Sequence, residues 1–199
     1  MRFIFTCCIL NPEREEAYVK AITDSVSKLK HLPIKFYVVE NTGRSSSKLD
    51  TIEGVQVIYT RNNLKDPFDA VGIKEMFDVY EVAERCGFND DDIVIKLTGR
   101  YTLKSAKFVE EVIQNQTMYD FFVKCFNVCT LEYDDADCVL GLYALRYQYL
   151  QDINITKMRW NDSQEKTFFS EACRVVEPER ILKFSQLDMY FRGDTSFLL

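Results

Sequence analysis

Apolar and polar positions in the first half of the chain switch between two periods, and the switches mark elements. The run RFIFTCCIL is nearly all apolar, as expected of a strand buried on both faces. Asn11 then suits a helix cap, Pro12 the first helical position, and Glu13, Glu15 and Glu16 the positive end of the helix dipole. Tyr18, Ile22, Val26 and Leu29 follow at helical spacing. Pro33 opens a second strand, IKFYVVE, and Asn41-Thr42-Gly43 turns the chain out of it. Gly54 introduces a third, VQVIYT. Residues 69–86 repeat as an amphipathic helix with Ile73, Phe77, Tyr80 and Val82 or Ala83 inward, ended by Gly87. DIVIKL is the fourth strand, and Ser105 caps the helix AKFVEEVIQNQ. Further on, MYDFFVKCFNV and CVLGLYAL read as strands, and 147–153 and 163–175 as helices. The tail DMYFRGDTSFLL reads as irregular.

Strand, helix, strand with near-continuous apolar strands predicts an α/β fold with a mostly parallel central sheet flanked by helices. The chain of 199 residues fits one domain, 1–199, with no linker or repeat. Its net charge of −6 argues against a nucleic-acid or anionic-membrane partner. It leaves room for a few cations around a small anionic ligand. No run reaches the roughly 18–20 apolar residues of a membrane-spanning helix. The N-terminal apolar run lacks a small-residue cleavage site and reads as a strand rather than a signal peptide. Seven cysteines without a C-x-x-C pair, and His31 as the lone histidine, read as reduced thiols of a cytoplasmic protein without a zinc site. The oligomeric state is left open.

Ligands of open α/β sheets bind outside the carboxyl ends of the strands. That edge collects Asn11 after strand one, Glu40-Asn41-Thr42-Gly43 after strand two, Arg61-Asn62-Asn63 after strand three, and Thr98-Gly99-Arg100-Tyr101 after strand four. The conspicuous Asp90-Asp91-Asp92 precedes strand four and belongs to the opposite edge as a solvated turn. Asp135-Ala136-Asp137 also precedes a strand, and reads as a solvated loop unless it folds back over the ligand edge. Gly43 to Lys48 echoes a phosphate loop without its second glycine or Lys-Ser/Thr ending. There is no G-x-G-x-x-G and no G-x-S-x-G.

The exit from strand two, the Gly72-Ile73-Lys74-Glu75 helix start and, most sharply, Lys96-Leu97-Thr98-Gly99-Arg100-Tyr101 resemble GT-A-type glycosyltransferases. The branch in question occurs in bacterial surface-polysaccharide loci and large DNA viruses, including those of algae. The resemblance implies transfer of a hexosyl or pentosyl group from a UDP- or GDP-linked donor to a glycan or other hydroxyl acceptor. It implies a nucleotide-sugar half at about 1–104 and an acceptor half at about 105–199. Most such enzymes hold Mn²⁺ or Mg²⁺ on an Asp-x-Asp after strand four. Here that place reads Thr98-Gly99-Arg100, so metal dependence is expected to be weak or absent, and no metal ligand is assigned.

The resemblance places Asn11, Glu40 and Asn41 toward the nucleoside, Lys74 toward the diphosphate, and Thr42, Lys96, Thr98 and Gly99 among the donor contacts. Arg100 would meet the leaving diphosphate with a planar fork of donors, or else pair with a carboxylate. Gly99 would let the backbone approach the ligand, and Tyr101 would stack on sugar or base. Glu165, in the first turn of the late helix, is the candidate base, or else a capping partner of Asp162 or Ser163. Trp160 and Asp137 are candidate acceptor contacts, and Arg192 in the tail would close over the phosphates. Two rival readings are a GT-A-like scaffold that has lost catalysis and a nucleotidyltransferase.

Overall fold

The computed structural model describes residues 1–65, 70–158, 163–191 and 197–198. A seven-stranded sheet runs through the molecule in the order β3-β2-β1-β4-β7-β6-β8. Its left half is β3 (Val55–Tyr59), β2 (Lys35–Glu40), β1 (Arg2–Cys7) and β4 (Ile93–Thr98), all parallel. Next comes β7 (Leu142–Arg146), antiparallel to both β4 and β6 (Phe121–Val123), and β6 runs parallel to β8 (Ile181–Lys183). A second, small sheet joins β5 (Thr102–Leu103), β9 (Met189–Phe191) and β10 (Phe197–Leu198) in antiparallel pairing. The tail expected to be irregular therefore supplies strands, and the hydrophobic pattern gives no sign of β8. These runs are two or three residues long, too short to carry a period.

Helices cover both faces. α1 (Pro12–Leu29) and α3 (Lys107–Asn115) pack Tyr18, Ile22, Phe108 and Val112 on the face that holds Phe3, Phe5, Leu97 and Phe122. α2 (Val71–Arg85) and α5 (Gln164–Val175) pack Ile73, Met76, Val79 and Phe168 on the face that holds Ile4, Val94, Tyr143 and Leu145. The short α4 (Tyr147–Gln151) follows β7. Adjacent residues of β1, Phe3, Ile4 and Phe5, thus enter opposite cores. This two-sided burial is what its unbroken apolar run encodes. No described helix is long and apolar enough to cross a membrane.

The two edges of the sheet differ in chemistry. At the amino-terminal edge, Asp92 pairs with Arg2 at 3.0 Å, and Asp120 is clamped by Arg146 and Arg180. The aspartate triplet therefore lies on the edge expected for it. Asp92 is tied into an ion pair rather than simply solvated, and Gln151 donates to Asp90. The carboxyl-terminal edge carries the cleft described next.

Because β7 runs against β4, the residues before it lie at the carboxyl end of β4, where the Thr98 N–H donates to the Gly141 carbonyl at 2.9 Å. Asp135-Ala136-Asp137 accordingly belongs to the ligand edge and not to the edge of the triplet. Strand direction decides this, and a hydrophobic pattern does not record direction.

Candidate functional site

The exits of β1, β2 and β4 and the first turns of α1 and α2 enclose a cleft of about 150 Å³. Its walls include Thr6 from β1 and Cys8 just after it, Arg14 and Tyr18 from α1, and Asn41 from the exit of β2. Lys74 and Glu75 come from α2, and Thr98 and Arg100 from the exit of β4. Of the residues expected at a donor site, the structure brings Asn41, Lys74, Thr98 and Arg100 together here.

Three cations converge on this space. Arg14 donates to the Tyr18 hydroxyl at 3.2 Å and lies over its ring, and Lys74 donates to the Asn63 carbonyl at 3.2 Å. The Arg100 Nε is buried without a hydrogen-bond partner. Among the described residues no carboxylate pairs with any of the three. A buried donor left unpaired costs about 1–3 kcal/mol, so an anionic ligand placed here would relieve a standing penalty.

Glu75 is the carboxylate in the cleft wall, and its charge is already answered. Lys96, 1% exposed, lies beneath it and donates to Glu75, to Thr98 Oγ1 at 2.8 Å and to the Leu140 carbonyl at 3.0 Å. All three ammonium protons are thereby used. Lys96, expected to meet the donor, instead ties the start of α2 to the exit of β4.

Gly99 also serves the fold. A Cβ there would stand 2.6 Å from Cys7 Sγ and 3.0 Å from both the Thr6 carbonyl oxygen and Tyr18 Cδ1. The close approach it permits is to β1 and α1, with the Gly99 N–H donating to the Thr6 carbonyl at 2.9 Å. Gly99→Ala is expected to destabilise by about 1–3 kcal/mol through overpacking. A differential scan should read this as a fall of about 2–4 °C per kcal/mol.

The remaining strand exits are braced. Glu40 is fully buried; its Oε1 accepts from the Ile9 N–H at 3.0 Å, and Oε2 from the Thr42 hydroxyl at 3.1 Å. Glu40 and Thr42 thus lock the β2 exit to the loop after β1. Asn11 is exposed and caps α1 by accepting from the Arg14 N–H at 2.8 Å. The Tyr101 ring lies against Gly141, where an added Cβ would meet it at 2.2 Å.

Asn41 is different. Its Nδ2 donates to Asp78 at 2.6 Å, while its Oδ1 is buried without a partner. Asp78, on the inner face of α2, also accepts from Thr60 at 3.0 Å and Asn62 at 2.8 Å.

A second group stands beside the cleft, at the start of α5. Ser163, rather than Asp162, caps this helix by accepting from the Lys166 N–H. Gln164 accepts from the Gly72 N–H, which sets the first turn of α5 against that of α2. Glu165 is half-buried and accepts from Ser163 Oγ at 3.3 Å. Asp137 is buried, and burial followed by the repulsion of Glu165 raises its carboxyl above the ordinary range. Asp137 and Glu165 are therefore electrostatic neighbours at the ligand edge. Asp162, Trp160 and Arg192 lie outside the described residues.

Sequence reasoning misses Arg14, Tyr18 and Asp78. Arg14 and Tyr18 have a legible signal, since both fall in the first turns of the helix that follows strand one. Asp78 has only a weak one, a carboxylate at an otherwise apolar position of an amphipathic helix.

No family model and no curated protein sequence matches the chain. Solved structures do. The galactosyltransferase LgtC, solved with donor and acceptor sugar analogues, superposes with a TM-score of 0.56 at 8% identity, over 92% of this chain and 73% of that one. The mannosyltransferase PcManGT from Pyrobaculum calidifontis, solved with GDP-Man and Mn²⁺, superposes at 0.58 and 7% identity, over 99% of this chain and 58% of that one. A glucose-1-phosphate thymidylyltransferase from Bacillus anthracis superposes at 0.57 and 11% identity, over 93% and 87%. At such identities the likeness establishes the fold alone, a single α/β domain of GT-A-like architecture. Function has to be argued from the site.

Proposed function

We propose that the chain is a glycosyltransferase that moves a sugar from a nucleoside-diphosphate donor to a hydroxyl group of a glycan acceptor. One observation carries the reading: three cations without carboxylate partners among the described residues meet in a cleft at the carboxyl edge of β1, β2 and β4. That edge is where open α/β sheets bind their ligands. Related folds supply precedent, since LgtC was solved with donor and acceptor sugar analogues and PcManGT with GDP-Man.

The roles follow from charge and position. Arg100, Lys74 and Arg14 hold the diphosphate and take up the negative charge that grows on it as the glycosidic bond breaks. Asn41 faces the nucleoside and presents its unpaired carbonyl oxygen to it. Glu165, on the adjoining rim, takes the proton of the acceptor hydroxyl, and Asp137 contacts the acceptor.

A divalent ion does not fit this donor set. Among the described residues no group of three His, Cys, Asp or Glu side chains could hold one. The charge of the wall carboxylate, Glu75, is already answered by Lys96, and the remaining charged groups of the cleft among the described residues are cations. In this reading the cleft cations do the work of a metal, whereas PcManGT was solved with Mn²⁺.

Thermal denaturation with uridine and guanosine diphosphates and their sugar conjugates, with and without EDTA, tests the proposal. A ligand at a hundred times its Kd adds about 2.7 kcal/mol, which is a rise of several degrees. At least one of these ligands should raise the midpoint, and EDTA should leave the rise intact. No rise with any of them would overturn the assignment. Stabilisation only by nucleoside triphosphates, with pyrophosphate released from a sugar phosphate, would point to a nucleotidyltransferase instead.

A further inference from the structure

Asp78 touches none of the cleft space itself, yet it holds what does. Its side chain is 0% exposed, and three donors converge on it from two strand exits. Asn62 and Thr60, after β3, donate to Oδ1 at 2.8 and 3.0 Å. Asn41, after β2, donates to Oδ2 at 2.6 Å. Asn62 has a second hold, because its amide also donates to Glu81 at 2.9 Å. Among the described residues the Asn41 amide has Asp78 alone; Asn41 lines the cleft, and its Oδ1 is buried without a partner.

We propose that Asp78 is a positioning residue that fixes the orientation of the Asn41 amide, turning the carbonyl oxygen to the cleft as a hydrogen-bond acceptor for the bound nucleoside. The inference rests on the nucleotide-binding reading above. Its chemistry is simple. An ionised carboxylate accepts hydrogen bonds and cannot donate them, so the amide nitrogen of Asn41 must face it and the oxygen must face away.

A neutral Asp78 would remove that rule. Oδ1 already has two donors, so the proton goes to Oδ2, where Asn41 is the one partner. The protonated oxygen then donates, the Asn41 amide turns over to accept, and its NH₂ group enters the cleft. Burial pushes the Asp78 carboxyl up to about 7, against the lowering effect of its three hydrogen bonds, with Glu75 adding repulsion. The other ionisable groups around the node are Lys74 and Glu81 on the same helix, Cys7 and Cys8 at the end of β1, and Glu40 at the end of β2. Burial holds both thiols neutral at this pH. The charged form exists above the folded pKa, so nucleotide affinity should rise as pH rises through 7.

Two measurements on the full chain test this. The first needs no ligand. The side-chain amide resonance of Asn41, identified by its loss in Asn41→Ser, should titrate with a midpoint near 7 in the native protein and stay flat in Asp78→Asn. The native titration is informative even if the variant folds poorly. The second is calorimetric binding of uridine and guanosine diphosphates at pH 6 and 8. The native protein should bind one of them about tenfold more tightly at pH 8, the worth of one hydrogen bond. Asp78→Asn should bind at the weaker level at both pH values. A native Asn41 resonance that does not titrate overturns the proposal, as does an unchanged affinity and pH profile in Asp78→Asn. If Asn41 titrates as stated but no nucleotide binds, the positioning role stands and the nucleotide reading fails.

Discussion

Replacing Arg100 with alanine is expected to lower kcat/KM for the nucleotide-sugar donor by about 100- to 1,000-fold while the melting temperature stays within about 1–2 °C of the native value. The first expectation comes from electrostatics. Removing one preorganised donor from a site where charge develops typically costs that factor. A guanidinium is hard to replace here because its planar fork matches two phosphate oxygens at once. The second comes from what Arg100 does not do in the fold. Among the described residues it pairs with no carboxylate, and its Nε has no partner. Truncating it removes an unpaired buried donor, so little stability is lost. Steady-state kinetics together with a thermal scan check both halves. Native turnover in the variant would remove Arg100 from the site. A large fall in melting temperature would make it a structural residue. Arg100→Lys should recover part of the loss, because it restores charge without the fork.

The half of the fold built from long runs is legible in the amino-acid pattern. β1, β2 and β4 read as strands because two-sided burial leaves nearly unbroken apolar runs, and α1 and α2 as helices because their buried faces repeat at helical spacing. The ligand edge follows from strand order alone, and with it the demotion of Asp90-Asp91-Asp92. The second half is less legible because direction is not written in a pattern. CVLGLYAL reads as a strand either way round, yet β7 runs against β4. That reversal carries Asp137 from the far edge to the rim of the cleft, next to Glu165. β8, β9 and β10 are too short for any period to be read.

At the site, residue type and edge position are legible and the division of labour is not. Lys96, Gly99 and Glu40 have the chemistry expected of donor contacts, and all three sit at or next to strand exits. The structure uses them to hold those exits together. Lys96 commits its protons to Glu75, Thr98 and Leu140. Gly99 yields space to Cys7 and Tyr18, and Glu40 accepts from the loop after β1. Such partners lie 21 to 92 positions away in pairs like Lys96 with Glu75 or Gly72 with Gln164, and one sequence cannot couple them. Arg100, just past the exit of β4, and Lys74, in the first turn of α2, are nominated by residue type and edge position alone.

Glu165→Gln carries the other large expected effect, a fall in kcat of about 100- to 10,000-fold with donor affinity unchanged. That range is what a positioned base contributes to a proton transfer. The substitution also separates catalysis from capping. Glu165 accepts a hydrogen bond from Ser163 Oγ, and a glutamine carbonyl at the same place can accept it equally well. The helix start also keeps its Ser163 cap on the Lys166 N–H and its Gln164 contact with Gly72. Thermal stability should therefore stay close to native. Ser163→Ala does the reverse: it removes the cap at a cost of about 0.5–2 kcal/mol and leaves the carboxylate in place. Single-turnover kinetics and calorimetric donor binding on the two variants distinguish the roles. If Glu165→Gln turns over at the native rate, the base lies elsewhere, and Asp137 is the next carboxylate on that rim. Burial already raises its carboxyl, and it has Glu165 for a neighbour. Removing the Glu165 charge would lower the Asp137 pKa and leave that carboxyl more readily ionised.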